Sequence, residues 1–281
     1  MARRSFWRRF ARRRLAVAGA AVLGILALAA IFAPLVAPYS PDPTLTSEVL
    51  AQARQAPSWH HWFGTDELGR DVFTRVLHGG RISLAIGLCV ALASTALGTT
   101  VGAAAGWFGG WADQLLMRVN DLLMIIPGLA VLMIAQKGLG GSMTVIVVVL
   151  SLLSWHTVAR VVRAQFRSLK ELEFVDAARA SGAPAWRIIT RELLPNTVGV
   201  IAVRTTLAVG GAILAESALS FLGFGLAPPA ASWGSMLSQS KGAVGTPLAY
   251  LVYFPGLAIL LTVLAVNYVG NGLRDAFDPE S

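Results

Sequence analysis

Long runs without charged residues constrain this chain more than any other feature. The first, residues 15–37, contains 23 uncharged residues, enough for a helix to cross a hydrocarbon core of ~30 Å at ~1.5 Å per residue. Overall, 55% of the residues are apolar and 14% are charged, with a mean hydropathy of +0.64. A soluble domain of this length could not bury so much apolar surface. The sequence therefore predicts an all-α integral membrane protein, with further spans within residues 82–105, 143–159, 197–216 and 250–269.

A sixth span is less obvious because its charge-free stretch, residues 122–136, is only 15 residues long. It reaches spanning length if the helix begins near Leu115. Arg118 and Asp121 then lie one helical turn apart near the headgroups, where they can form an ion pair. Pro127 is expected to kink this helix. We therefore predict six transmembrane helices.

The remaining segments are predicted to lie outside the five-helix core. The chain divides into a basic arm at 1–14, a first transmembrane helix at 15–37, a loop region at 38–80, the core at 81–270 and a tail at 271–281. In the loop region, residues 65–77 place apolar side chains at helical spacing opposite charged ones, which predicts an amphipathic helix on the membrane surface. Its Asp66 and Asp71 have Arg70 and Arg75 as near neighbours, so we expect ion pairs rather than an acid–base centre.

Basic residues are distributed unequally between the two sides of this topology. Seven lie in the arm, seven lie in the polar segment 160–196, and Arg118 and Arg274 are on the same side, which makes 16 against six on the other. The positive-inside rule therefore predicts that both termini and this segment are cytoplasmic, and that the loop region is extracytoplasmic. These membrane flanks account for the net charge of +8, which does not indicate nucleic-acid binding.

The longest polar stretch between spans, residues 160–196, is predicted to form two short helices that project from the membrane. The first contains Asp176 among small residues. Gly182 and Pro184 interrupt it, because Gly readily leaves helical geometry and the residue before Pro is pushed away from it. A second helical piece begins at Ala185. Since small side chains allow a partner to approach closely, the segment is either a docking surface or an ordinary loop between spans.

Residue patterns typical of catalysis or metal binding are absent from the sequence. It contains no Gly-x-x-x-x-Gly-Lys-Ser/Thr phosphate loop, no Ser-His-Asp arrangement and no metal-ligand spacing. The single Cys89 permits no intramolecular disulfide. The adjacent His60 and His61 are expected to be an exposed pair. We therefore predict a protein that is not an enzyme and has no cofactor, metal site or catalytic residue.

Two charged residues, Arg204 and Glu216, lie within the predicted fifth span. They are separated by ~18 Å along the helix axis, too far to pair directly. A charge inside a span is costly unless it reaches the interface, pairs or faces an aqueous cavity. Arg204 is therefore expected either to line a pathway or to reach the near interface. Glu216 is the one intramembrane carboxylate suited to ion coupling, and its alternative role is structural.

The polar segment resembles the EAA loop of ABC-importer permeases, whose pattern is Glu-Ala-Ala-x3-Gly-x9-Ile-x-Leu-Pro. The matching residues are Asp176-Ala177-Ala178, Gly182 and Leu194-Pro195, with Asp176 in place of the glutamate and Glu192 in place of the isoleucine. The resemblance to C-type permease subunits of dipeptide/oligopeptide importers covers nearly the whole chain. It includes residues 63–75, 80–84, 219–225 and 231–234.

This resemblance implies a type I ABC-importer permease fold in the bacterial cytoplasmic (inner) membrane. Besides membrane lipid, the implied partners are a homologous second permease, two ATP-binding subunits that hydrolyse ATP, and an extracytoplasmic substrate-binding protein. The EAA loop of the family docks on the ATPase, which makes Asp176, Ala177, Ala178, Gly182, Ala183 and Trp186 the expected coupling residues. Peptides are the expected solute, with nickel, opines or oligosaccharides as alternatives within the family.

Two other functions remain open from the residues alone. An ion-coupled secondary transporter would need buried titratable groups, for which Glu216 is the candidate. A membrane scaffold that does not transport would need only the projecting segment and a partner. Dependence of uptake on a proton gradient without ATP would support the first, and uptake that survives deletion of the gene would support the second.

Overall fold

Helices form almost all regular structure in the residues that the computed structural model describes, 2–227 and 229–277. The N-terminal part contains α1 (Ala2–Arg12), α2 (Arg14–Ile31), α3 (Ala33–Val36) and α4 (Ser47–Ala51). The middle contains α5 (Val72–Phe108), α6 (Gly110–Ile125), α7 (Gly128–Leu139), α8 (Met143–Lys170) and α9 (Glu173–Ala180). The last part contains α10 (Ala185–Ile188), α11 (Leu194–Leu219), α12 (Trp233–Gln239) and α13 (Tyr250–Phe277).

Within the described residues, five helical segments are long and apolar enough to cross a membrane. They are α2, α5, α8, the helix over Ala185–Phe224 that contains α11, and α13. The helices α6 and α7 meet the same criterion only as a pair, bent by 81° at the break between them. Pro127 lies in that break, so the predicted kink is confirmed. Counting the bent pair as one span gives the predicted six, and the all-α prediction is confirmed.

A stripe of glycines brings the backbones of α5 and α8 together. A Cβ atom on Gly98 would lie 2.6 Å from the carbonyl oxygen of Trp155, and one on Gly102 would lie 2.5 Å from that of Ala159. Backbones approach this closely only where a side chain is missing, and such packing is a main source of helix association in membranes. The α5–α8 pair is therefore a closely packed part of the bundle's scaffold.

Both ends of the described chain lie at one end of the bundle. Arg13 forms an ion pair with Asp275 (3.0 Å), and the rings of Phe6 and Phe277 lie 4.7 Å apart between centroids. We call this the terminal end, because it holds the start of α2 and the end of α13. At the opposite end, the single hydroxyl proton of Tyr250, at the start of α13, is shared between the carbonyl oxygens of Gln55 (2.8 Å) and Thr65 (2.9 Å) in the loop region.

The predicted surface helix over residues 65–77 is wrong. Residues 65–71 form a turn, and Val72 begins the 37-residue helix α5. Gly69 has φ +77°, which is outside helical geometry, and a Cβ atom there would overlap the carbonyl of Val49, so the position requires glycine. The Asp71 carboxylate accepts the backbone N–H of Thr74 (2.8 Å) and thereby caps α5.

The predicted ion pairs in this turn are confirmed for one aspartate. Asp66 accepts from Arg70 and from the buried Arg75, each at 2.8 Å. Asp71 is instead hydrogen-bonded to His61 at 2.9 Å. His61 is therefore buried, contrary to the prediction of an exposed histidine pair, because a capping carboxylate needs a second partner when it leaves water.

Two helix ends and one ion pair also differ from the predictions. The first span ends at Ile31 rather than residue 37, because the helix breaks before Pro34. The last helix continues to Phe277, so the predicted tail from 271 is helical that far, and residues 278–281 lie outside the described part. Asp121 pairs with Arg160 of α8 rather than with Arg118, since the bend brings α6 against α8.

Candidate functional site

The segment over residues 160–196 begins with the end of α8 and continues as the short helix α9 and the first turns of the helix over Ala185–Phe224. Val175 of α9, Ile188 of α10 and Leu193 are completely or almost completely buried. They pack in one cluster with Phe166 of α8. The prediction of two short helices is confirmed for α9 and wrong for the second, because α10 runs without a break into the helix over Ala185–Phe224. The inner face of both is a hydrophobic extension of the bundle. We call residues 173–193 the knob.

Gly182 forms the turn between the two helices of the knob. Its φ is +78°, in the left-handed region that favours glycine. The N–H of Ala183 donates to the carbonyl of Ala178 (3.1 Å), and that of Gly182 donates to the carbonyl of Arg179 (2.9 Å). These two bonds define a Schellman motif, which satisfies the last carbonyls of α9. Pro184 then precedes α10 in extended geometry.

The predicted coupling residues lie on two faces of the knob. Asp176, Ala177, Gly182 and Trp186 are exposed, and Trp186 exposes 62% of its surface. Ala178 and Ala183 are half-buried and pack against the inner hydrophobic cluster. The structure thus places the first four where a partner can reach them, whereas the two half-buried alanines hold the knob together.

A small notch opens on the knob beside its glycine turn. It has a volume of about 190 Å³ and is lined in part by Ala178, Gly182, Arg187 and Glu192. The small residues leave this space, and the charged residues border it. Glu192, where the EAA pattern has isoleucine, is therefore partly accessible at the notch rather than buried in the core. The notch can accept one side chain of a docking partner.

Two cationic side chains contact Trp107 of α5, a residue that the sequence analysis does not single out. Lys170, at the end of α8, donates from Nζ to the carbonyl oxygen of Trp107 (2.6 Å). The guanidinium of Arg179 lies 5.4 Å from the ring centroid of Trp107, within cation–π distance. A tryptophan near a span end signals an interface, but not which cations approach it. The knob is thus tied to both helices of the scaffold pair.

Arg204 lines an open cavity of about 690 Å³ at the terminal end. Arg274 of α13 lines the same cavity, together with Gln165 of α8. The sequence left cavity lining and snorkelling as alternatives. Arg204 does line a cavity. It also lies near the end of the bundle, because the helix α11 starts further out than Phe277, the last residue of α13. Gly199, five residues before Arg204, contacts that phenylalanine.

Glu216 lies far from Arg204 and is completely buried. Its Oε1 accepts hydrogen bonds from Ser220 (2.7 Å) and Ser232 (2.5 Å). The Ser232 hydroxyl also accepts the backbone N–H of Ser235 (3.1 Å), so it caps α12 while it donates to Glu216. This arrangement fastens α12 to α11 through a single carboxylate oxygen.

The segment that follows Ser232 is fastened to α5 as well. The Trp233 backbone N–H donates to Ser83 (3.1 Å), and its indole N–H donates to the carbonyl of Val76 (2.8 Å). Two sequence stretches of the resemblance, residues 219–225 and 231–234, therefore meet around Glu216. The sequence indicated both stretches but not their contact.

Comparison with known proteins agrees with this architecture. Residues 98–280 match the family described as binding-protein-dependent transport system inner membrane component. Residues 3–57 match the N-terminal transmembrane domain of oligopeptide transport permease C. The first match covers more than half of the chain.

Curated relatives are similar over almost their whole length. A putative peptide permease protein of Brucella suis is 44% identical over 274 residues, covering 97% of this chain and 89% of the relative. The dipeptide transport system permease protein of Bacillus subtilis is 41% identical (98% and 84% covered). The glutathione transport system permease protein of Shigella flexneri is 42% identical (98% and 89% covered). The chain therefore belongs to the binding-protein-dependent transport system inner membrane components, the permease subunits of ABC importers.

Proposed function

We propose that this permease imports peptides and couples to a separate ATPase through the knob. In this proposal the chain and a homologous second permease each form half of the translocation pathway, and two ATP-binding subunits hydrolyse ATP. An extracytoplasmic binding protein delivers the solute. The observation that carries the coupling is the knob itself, which exposes Asp176, Ala177 and Trp186 while its inner face is buried against α8.

The anchoring of the knob supports a mechanical role. Because Arg179 of the knob lies over the ring of Trp107 of α5 and the knob packs on Phe166 of α8, a force on its outer face reaches the closely packed α5–α8 pair. Protein cores are close-packed and transmit strain rather than absorb it. Movement of an ATPase docked on the knob would then move α5 and α8 as one body.

The proposed solute class follows from the relatives. Those reported above are named for peptide, dipeptide and glutathione transport. Nickel, opines and oligosaccharides remain alternatives, and the binding protein is the subunit in which most of the selection would occur.

The proposed orientation rests on the distribution of basic residues. The terminal end and the knob belong to the side with 16 basic residues, against six on the other. The positive-inside rule supports a cytoplasmic location for that side, and the description of the matching family supports the bacterial inner membrane. Residues 38–71 then face outward, where a binding protein would dock.

Single cysteines at Ala177 and Gln52 test orientation and coupling together. Both residues are exposed, and the native Cys89 is first replaced by serine. In intact cells, a membrane-impermeant maleimide should label Gln52→Cys and leave Ala177→Cys unlabelled. In membranes, a short bifunctional reagent should link Ala177→Cys to an ATP-binding subunit, and Gln52→Cys should give no such product.

Labelling tests the orientation and crosslinking tests the coupling, so each proposal can be contradicted without the other. Labelling of Ala177→Cys from outside intact cells would reverse the orientation. A complex that still transports, but gives no crosslink between Ala177→Cys and an ATP-binding subunit, would overturn the coupling role of the knob.

A further inference from the structure

The cavity at the terminal end combines apolar walls with two arginines. It lies between α8, α11 and α13 and is open to the surroundings, with a volume of about 690 Å³. Its charged lining residues are Arg204 and Arg274, and its apolar walls include Val198, Val203 and Phe277.

The two arginines lie at nearly the same level along the bundle. Three contacts define the register of the antiparallel helices: Gly199 with Phe277, Leu207 with Gly270, and Gly210 with Val266. Arg204 therefore lies opposite residues 272–273, within two residues of Arg274 or about 3 Å along the axis. Arg204 is three residues before Leu207, and Arg274 is four after Gly270, so both lie on the faces where the helices meet.

Neither guanidinium has an acidic partner among residues 2–227 and 229–277. Other arginines at this end do: Arg13 pairs with Asp275, and Arg163 makes two bonds to Asp113. Two cations on facing helices repel each other, and an anion bound between them would relieve that repulsion. The cavity is thus complementary to an anion.

The surroundings favour an anion that carries apolar chains. Valine and phenylalanine walls adjoin the two guanidinium groups. Phe277 is also covered by Phe6 of α1, and the arm that contains Phe6 has seven arginines. Basic pockets between transmembrane helices bind lipid headgroups, and guanidinium groups bind phosphate oxygens in pairs.

We propose that this cavity binds an anionic phospholipid. Arg204 and Arg274 hold the phosphate group, and an acyl chain lies along Val198, Val203 and Phe277. The lipid would thereby bridge α11, which follows directly from the knob, to α13. This site is separate from the knob surface and from Glu216.

Retention of phosphatidylglycerol by the purified protein tests this site. The full-length chain, with the subunits that co-purify with it, is placed in nanodiscs of mixed phosphatidylcholine and phosphatidylglycerol, and retained lipids are counted by native mass spectrometry. Arg204→Gln and Arg274→Gln should each lower phosphatidylglycerol affinity about fivefold, and the double variant should lose the selectivity. The matched control Arg118→Gln, at an exposed arginine of α6, should retain wild-type selectivity.

Three results would each overturn the proposal. The first is wild-type retention in the double variant. The second is displacement of the lipid by millimolar inorganic phosphate, which would indicate a free-phosphate site. The third is a change in the KM of the double variant for an acidic but not a neutral peptide with lipid retention unchanged, which would indicate a solute site.

Discussion

Replacing Gly182 by valine should lower peptide uptake at least about tenfold while the chain still inserts in the membrane. Gly182 has φ +78°, and an L-residue in this left-handed region costs about 1–2 kcal/mol, with β-branched residues the worst. A Cβ atom there would meet nothing within 4 Å, so the whole effect comes from the backbone. Relief of the strain requires breaking the Schellman bonds that join α9 to α10. Uptake and co-purification of the ATPase are the measurements.

Two matched variants separate backbone geometry from side-chain size. Gly182→Asn should retain most uptake, because asparagine tolerates the left-handed region far better than valine. Gly138→Val adds the same side chain into open space without a positive φ, and should also retain uptake. Equal uptake by Gly182→Val and Gly182→Asn would show that the glycine turn does not shape the coupling surface.

Replacing Glu216 by leucine should destabilise the protein strongly and abolish transport. The hydroxyls of Ser220 and Ser232 both donate to Glu216, and each buried donor left without an acceptor costs about 1–3 kcal/mol. Ser232 is also the N-cap of α12, so loss of its bond to Glu216 would detach the start of that helix from α11. Thermal unfolding in detergent should show a lowered Tm, and uptake should fall with it.

Glutamine at the same position is the control. Glu216→Gln keeps an acceptor oxygen for both serines, so its Tm and uptake should stay near wild type. If Glu216→Gln abolishes uptake with an unchanged Tm, the carboxylate itself takes part in transport. The structural account of Glu216 would then be wrong.

Of the sequence features, the residue spacing in the knob predicted local structure best. Gly182 and Pro184 correctly placed a turn between two helices, because both residues restrict backbone geometry locally. Which side of the knob faces outward was not predictable. Ala177 and Ala178 are adjacent and chemically identical, yet only Ala177 is exposed. That difference depends on how α9 packs against Phe166.

Long-range contacts explain the predictions that were wrong. The sequence predicts that Asp121 pairs with the nearby Arg118. Its partner is instead Arg160 of α8, a helix that packs against α6 although it lies about 40 residues further along the chain. The helical pattern over residues 65–77 is real only from Val72, because Gly69 has φ +77° and the Asp71 side chain caps the helix. The contact between Glu216 and Ser232 likewise depends on a loop whose path sequence periodicity does not specify.

The family assignment narrows the functions that the residues alone left open. An ion-coupled transporter needs a titratable group that ions can reach, whereas Glu216 is completely buried and bonded to two serines. A scaffold without transport does not account for similarity to permeases over 97% of the chain. What remains to be tested is coupling through the knob.

The most direct test of this account is peptide uptake by proteoliposomes. They contain the full-length chain with its co-purifying subunits, are supplied with the binding protein outside, and are loaded with or without ATP inside. The account predicts uptake of a labelled peptide only with internal ATP, retained in Gly182→Asn and reduced at least about tenfold in Gly182→Val. Uptake without ATP under an imposed proton gradient, or full uptake by Gly182→Val, would contradict it.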